Sequence, residues 1–409
     1  MRKILIGLGS VAAVALMAST AQAQQTIKIG LVMSFTGQFG DLGTMMDAGV
    51  RLYMQKHGDT VAGKKIEIIR KDSGAAGSAP DVAKRLTQEL IVRDKVDIIA
   101  GFSLTPDALA SADVLNESKK VGVIMNAATA IITATSPYFV RTSIPLPQAM
   151  AALGTWAAKT GGLKNSYTMV TDYGPGIDSE QAFQGAFKEA GGNIVGSVRF
   201  PVVSPDFSAF VQRLKDSKSE SVYIFVPGGE QPAALGKALT EHGLSPKVTK
   251  VLASGELTNE APLKSMGAAA EGIITAWHYD SGHKSAMNAE FVKGIAGLLN
   301  GRKPDQFTVS GYDGMHAIYE ALKKTNGDTD GDKLIAAMKG LSWESPRGPM
   351  SIDPETRDVV QTVYLRRVEK LADGSFGNNE FDKLENVKDP VKAKLKAEGK
   401  LNPDGTSKK

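Results

Sequence analysis

Apolar and polar positions alternate in two rhythms along this chain. Short β-branched runs at Ile27–Met33, Ile66–Arg70, Val96–Ala100 and Val121–Met125 predict strands, separated by amphipathic stretches near Asp41–Lys56, Pro80–Arg93 and Pro106–Lys119. In the middle stretch Val82, Leu86, Leu90 and Ile91 recur at helical intervals, while Lys84, Arg85 and Glu89 fill the other face. Ser78 and Pro80-Asp81 mark its start. The pattern then restarts. Tyr167–Thr171, Ile194–Val198, Val222–Val226 and Val248–Ala253 read as strands, with helices near Ser179–Ala190, Phe207–Ser217 and Gln231–Glu241. Such alternation marks parallel sheets covered by helices on both faces, so the sequence predicts two doubly wound, Rossmann-like α/β lobes.

Between the two units lies Arg141-Thr142-Ser143-Ile144-Pro145-Leu146-Pro147, which reads as a hinge strand stiffened by two prolines. After Ala276 come two more amphipathic helices, near Ser285–Leu299 and Tyr312–Lys324, and a strand-like ending at Val360–Val368. They have no sheet of their own. The chain is therefore expected to return to the first lobe near His278–Lys284 and to the second near Trp343–Ser351, making three crossings. The expected boundaries are residues 24–143 with 281–342 for lobe one, 144–280 with 343–385 for lobe two, and 386–409 as a C-terminal extension.

The N-terminus changes the picture most. Arg2 and Lys3 precede an apolar run from Ile4 to Met17 and the triplet Ala21-Gln22-Ala23, the pattern of a secretory signal too short to span a bilayer. Cleavage is expected after Ala23, leaving roughly 385 residues, a size at which one core gives way to two. Cysteine is absent, so neither a disulfide nor a thiol-borne lipid anchor can form. A Gram-negative periplasm is the expected location. Losing Arg2 and Lys3 lowers the net charge from +4 to about +2, with both signs interleaved, so no nucleic-acid partner is expected. Val387 to Lys409 is lysine-rich but carries acids, Pro390, Pro403 and Gly405, which reads as a solvated, frayed extension.

Ligands of open α/β sheets bind beyond the carboxyl ends of the strands. Three loops qualify: Ser34-Phe35-Thr36-Gly37-Gln38-Phe39-Gly40, Gly101-Phe102-Ser103-Leu104-Thr105-Pro106 and Asn126-Ala127-Ala128-Thr129. Small side chains expose backbone N–H groups, hydroxyls add donors, and helix starts add partial positive charge, a chemistry suited to an anion.

In this arrangement the chain resembles the branched-chain amino-acid-binding (Leu/Ile/Val-binding-like) family of periplasmic solute-binding proteins of ABC importers. The resemblance rests on Ile29-Gly30-Leu31-Val32-Met33-Ser34-Phe35-Thr36-Gly37, Phe39-Gly40, Ala127-Ala128-Thr129-Ala130, Arg141-Thr142, Asp172-Tyr173-Gly174 and Asp206-Phe207-Ser208. It implies a type I periplasmic binding protein fold that closes about its hinge on a small apolar carboxylate. The carboxylate would be held by Ser103, Leu104, Thr105, Ala127, Ala128 and Thr129, with Phe39 where the family often has tyrosine. On lobe two, Tyr173, Pro227, Gly228 and Glu256 fall where the family closes over the ligand and, for amino acids, holds the ammonium. Pro175, the lack of an aromatic around Gly228 and the impossible lobe-one disulfide depart from the family. Fewer polar partners remain for an ammonium, so branched-chain or other hydrophobic amino acids and aromatic acids stay open alike. The implied partners are a permease and an ATPase of an inner-membrane importer, and the protein is expected to be a monomer without cofactor.

An enzyme is not expected. In Gly101-Phe102-Ser103-Leu104-Thr105 a threonine stands where a hydrolase's nucleophile elbow needs its second glycine. His57, His242, His278, His283 and His316 form no HExxH pair and read as surface residues, and no Walker A motif occurs. A ligand sensor acting on a membrane signalling partner remains the alternative to delivery, since one fold serves both.

Overall fold

The computed structural model describes residues 25–74, 80–203 and 205–408. Two sheets organise them. The first contains β1 (Thr26–Met33), β2 (Thr60–Val61), β3 (Lys64–Asp72), β4 (Ile98–Gly101), β5 (Val121–Ile124) and β6 (Phe139–Arg141), in the order β2-β3-β1-β4-β5-β6. Every pairing is parallel except β2 with β3. The second contains β7 (Asn165–Thr171), β8 (Asn193–Phe200), β9 (Ser221–Phe225), β10 (Lys250–Ala253), β11 (Ile274–Trp277), β12 (Ser342–Ser345), β13 (Gly348–Ile352) and β14 (Val359–Lys370), in the order β12-β13-β14-β11-β10-β9-β7-β8, while β15 (Phe376–Val387) pairs with β14. The β7 to β11 portion is parallel and the rest antiparallel.

Burial follows the sequence pattern. Ile27, Ile29, Leu31 and Met33 enter one hydrophobic cluster of lobe one and Val32 another, the two-sided burial of a parallel strand between helix layers. Helix Gly40–His57 lies against helix Gln306–Lys324 at close range. A Cβ at Gly49 would come 1.9 Å from the Thr308 carbonyl oxygen, and one at Gly311 would come 2.1 Å from that of Met46, so the glycines permit the approach. Asp305 starts the second helix by accepting from the Phe307 and Thr308 N–H groups.

The two lobes are joined by three passages of chain, as the sequence pattern leads one to expect. The first runs from β6 to helix Leu146–Lys159, the second from β11 to helix Ala286–Leu298, and the third from helix Gly331–Met338 through hairpin β12–β13 into β14. A buried ion network fastens this region. Asp358 receives Arg141 Nε at 2.7 Å and Lys392 Nζ at 2.9 Å, and all three side chains are about 1% exposed or less. Burial alone would raise the Asp358 pKa, but Arg141 and Lys392 outweigh it and hold the carboxyl below its ordinary value. Nearby, Arg347 pairs with Asp313 at 2.9 Å.

Three expectations are corrected. The segment Arg141–Pro147 is not one strand: β6 ends at Arg141 and a helix opens at Leu146, because Pro147 fits a first helical turn, where its missing N–H has no partner to lose. The C-terminal stretch is not frayed. Strand β15 runs to Val387, helix Pro390–Ala397 is capped by Asp389, and Lys392 inserts beside Asp358, so one lysine among many is buried because a distant carboxylate needs it. Of the five histidines only His57 is exposed, and His278 is buried against Trp277, since an imidazole packs as readily on aromatic rings as it faces water. The signal segment and Ser78 lie outside the described residues.

Candidate functional site

The carboxyl ends of β1, β4, β5, β9 and β10 converge on the gap between the lobes. At β4 the chain turns sharply: Gly101 has φ +106° and Phe102 φ +62°. A non-glycine residue in that region costs on the order of 1–3 kcal/mol and persists only where its surroundings impose it. Here they do. Phe102 is buried edge-on against Phe139, and its N–H and C=O bond Val32 and Ala127. The turn carries Ser103-Leu104-Thr105 to the start of helix Thr105–Ser118, whose first turn receives no side-chain cap. Its N–H groups carry the partial positive charge of the helix terminus.

The neighbouring loop is fixed by hydrogen bonds. Asn126 Nδ2 donates to the Ser103 carbonyl at 2.6 Å, and the Thr105 and Thr129 hydroxyls lie 3.0 Å apart. Arg141 donates from Nη1 to the Ala127 carbonyl at 3.1 Å and from Nη2 to that of Thr129 at 2.8 Å. Asp358 pairs the guanidinium from below, so Arg141 shapes this loop rather than presenting itself to the gap.

A cavity of about 20 Å³ closes over these loops. Ser103, Leu104, Thr105, Ala127 and Ala128 line it from lobe one, and Tyr173, Pro227, Gly228 and Glu256 from lobe two. All nine were singled out from the sequence. Leu42, Asn126, Pro175 and Phe225 complete the wall. Asn126 stands in a loop picked out by its composition and Pro175 is a noted departure from the family, but Leu42 and Phe225 carry no signal that separates them from core residues. Two expected residues stand behind the wall. Phe39 is fully buried, with its ring 3.3 Å from where a Cβ on Gly229 would lie, and Thr129 reaches the site through Thr105.

Tyr173 and Phe225 stack with centroids 6.2 Å apart and planes at 24°, giving an aromatic wall. Helix Gly174–Glu189 begins at Gly174, five residues before the expected start, because Pro175 is compatible with the first turn. That earlier start brings the helix end to the gap. The lobes touch around the cavity: the Ala130 N–H donates to Asp178 Oδ2 at 2.8 Å and the Glu230 N–H to the Gln38 carbonyl at 3.3 Å.

Glu256 is the one carboxyl in the cavity wall and is 7% exposed. Burial, opposed by Ser254, its own backbone N–H and Arg366, pushes its pKa up to about 7. Burial likewise drives the Tyr173 phenol well above its ordinary value, with Glu256 adding to the rise. A larger hollow of about 410 Å³, lined by Lys56, His57, Glu290 and Tyr312 of lobe one and by Pro346 of the β12–β13 hairpin among others, gathers none of the expected residues. No group of three or more His, Asp or Glu side chains among the described residues could hold a metal ion.

Two lobes meeting over loops at strand ends agree with the comparison to known proteins, in which residues 26–375 match the periplasmic binding protein family. The chain belongs to that family. This periplasmic binding protein is 39% identical over 386 residues to Leu/Ile/Val-binding protein homolog 6 of Brucella melitensis, covering 94% of this chain and 98% of the relative. It is also similar to the solute-binding protein of an ABC transporter from Rhodopseudomonas palustris BisB5, solved with 3,4-dihydroxybenzoic acid: 49% identity, TM-score 0.86, 90% of this chain and 99% of that one. A counterpart from Rhodopseudomonas palustris HaA2, solved with p-hydroxybenzoic acid, is 38% identical with TM-score 0.86, covering 90% of this chain and all of the other. No helix among the described residues of the periplasmic binding protein is long and apolar enough to cross a membrane.

Proposed function

We propose that this periplasmic binding protein captures a small aromatic carboxylate between its lobes and delivers it to the permease and ATPase of an ABC importer. The observation that carries the reading is the composition of the wall. Aromatic and aliphatic side chains face hydroxyls and an uncapped helix start, while the single acid, Glu256, is buried with its pKa raised to about 7. An ammonium wants an ionised carboxylate, and burial works against ionisation here. A ring acid needs only the anion site and apolar walls. The relatives solved with hydroxybenzoates support the same choice.

In this reading the ligand carboxylate lies at Ser103-Leu104-Thr105 and Ala127-Ala128, with Thr129 and Arg141 holding the loops in place. The ring lies against Tyr173, Phe225 and Leu42. A cavity of about 20 Å³ holds little more than one water, so the lobes must part to admit a ring and close again behind it. The lobes are those bounded at residues 143, 280 and 342, the chain acts as a monomer without catalytic chemistry, and the mature form begins at Gln24.

A thermal-shift screen of benzoate, hydroxybenzoates, leucine, isoleucine and valine tests the reading. A ligand at a hundred times its dissociation constant adds about 2.7 kcal/mol of stability. Aromatic acids are expected to raise the melting temperature. A rise with leucine and none with any aromatic acid would refute the proposal.

A further inference from the structure

Glu256 has chemistry the ligand carboxylate does not use. It sits after β10, on the opposite lobe from the Ser103-Leu104-Thr105 loop, and lines the same cavity. Its Oε2 has no hydrogen-bond partner although the side chain is buried. The cation that acts on it, Arg366, is committed elsewhere: it bonds the Thr275 hydroxyl at 3.0 Å, the Tyr279 carbonyl at 2.8 Å and Asp280 at 3.2 Å. The other ionisable groups that act on Glu256 are Asp305, from the start of helix Gln306–Lys324, and the phenols of Tyr173 and Tyr223. None of these supplies a neutralising charge.

A buried polar atom without a partner is costly and calls for one. We propose that Glu256 selects hydroxylated aromatic acids, exchanging hydrogen bonds between its carboxyl group and a ring hydroxyl at the lobe-two end of the cavity. This rests on the aromatic-acid reading above and adds the group that sets its specificity. Two carboxylates in one small cavity cannot both be ionised at little cost, so the ligand's charge keeps the proton on Glu256. The protonated carboxyl then offers one donor and one acceptor, which a phenolic hydroxyl matches and a bare ring edge does not. A site built around a hydroxyl discriminates against the analogue lacking it, because its own polar group is left unpaired.

The test is calorimetry with 4-hydroxybenzoate and benzoate on wild type, Glu256→Leu and Glu256→Gln, each checked by thermal melting. Wild type is expected to bind 4-hydroxybenzoate at least tenfold more tightly than benzoate. Glu256→Leu should erase that preference, losing 4-hydroxybenzoate affinity while keeping or improving that for benzoate. Glu256→Gln, which hydrogen-bonds without titrating, should keep most of the preference. Between pH 6 and 8 wild-type affinity for 4-hydroxybenzoate should fall several-fold as Glu256 loses its proton, and the Gln variant should show a flat profile over that range. Equal binding of the two acids by wild type, or a preference that survives Glu256→Leu, overturns the assignment and leaves the aromatic-acid reading intact. Absence of heat with either acid on folded wild type would overturn both.

Discussion

Closure can be tested at Gly174, the first residue of the helix that lobe two aims at the gap. A Cβ added there would lie 2.5 Å from Thr129 Oγ1 and 3.5 Å from Thr105 Cγ2, both across the gap on lobe one. Ordinary contact begins at 3.4 Å, so the shortfall from 2.5 Å is about 0.9 Å. Thr129 has little room to yield, being 6% exposed and tied to the Thr105 hydroxyl. The φ of Gly174 is not in the left-handed region, so alanine adds no backbone strain, and within lobe two it favours the helix. The penalty therefore falls on the closed arrangement. Overpacking of this kind costs about 1–3 kcal/mol, which corresponds to an affinity loss of about 5- to 150-fold. Calorimetry of Gly174→Ala with 4-hydroxybenzoate should show that loss, while the melting temperature of the unliganded protein stays level or rises slightly. Small-angle scattering should show weaker ligand-induced contraction. Affinity within twofold of wild type would refute closure by this contact.

Two stability predictions follow from buried charges. Asp358→Asn leaves Arg141 and Lys392 buried without their counter-charge, and removing one partner of such a pair costs about 3–5 kcal/mol, readable as a lower urea midpoint; an unchanged midpoint would show that Asp389 takes over the pairing. Asp107 is pushed up to about 7 by burial, partly offset by the Ser73 hydroxyl at 3.0 Å, and its Oδ1 has no partner. Its folded pKa lies above the unfolded value, so the folded protein holds an extra proton between about pH 4 and 7, and this group's contribution to stability declines as pH rises through that window. Asp107→Asn should therefore raise the melting temperature at pH 8 and have little effect at pH 4, and equal effects at both would contradict the assignment.

The strand and helix alternation was legible without coordinates because side-chain periodicity records which faces are covered. That is why β1, β3, β7 and β9, and the helices Gly40–His57, Pro80–Val92, Thr105–Ser118 and Ser208–Ser217, fall within a few residues of their expected ends. The loops that line the cavity were legible for a related reason: carboxyl ends of parallel strands all point one way, so naming the strands names the loops. Five expected residues of the lobe-one loops accordingly meet at one cavity, where Tyr173, Pro227, Gly228 and Glu256, which the family resemblance implied on lobe two, join them. Other features depend on partners distant in the chain. Lys392 looks like any other tail lysine until Asp358, thirty-four residues earlier, and Arg141 are brought beside it. Phe225 and Leu42 read as core residues, and only the meeting of the lobes makes them a wall. The family resemblance places Glu256 beside the ligand, but its charge state is fixed by burial, which no local pattern encodes. Periodicity reports which side of an element is buried, whereas pairing and desolvation depend on what the rest of the chain places against it.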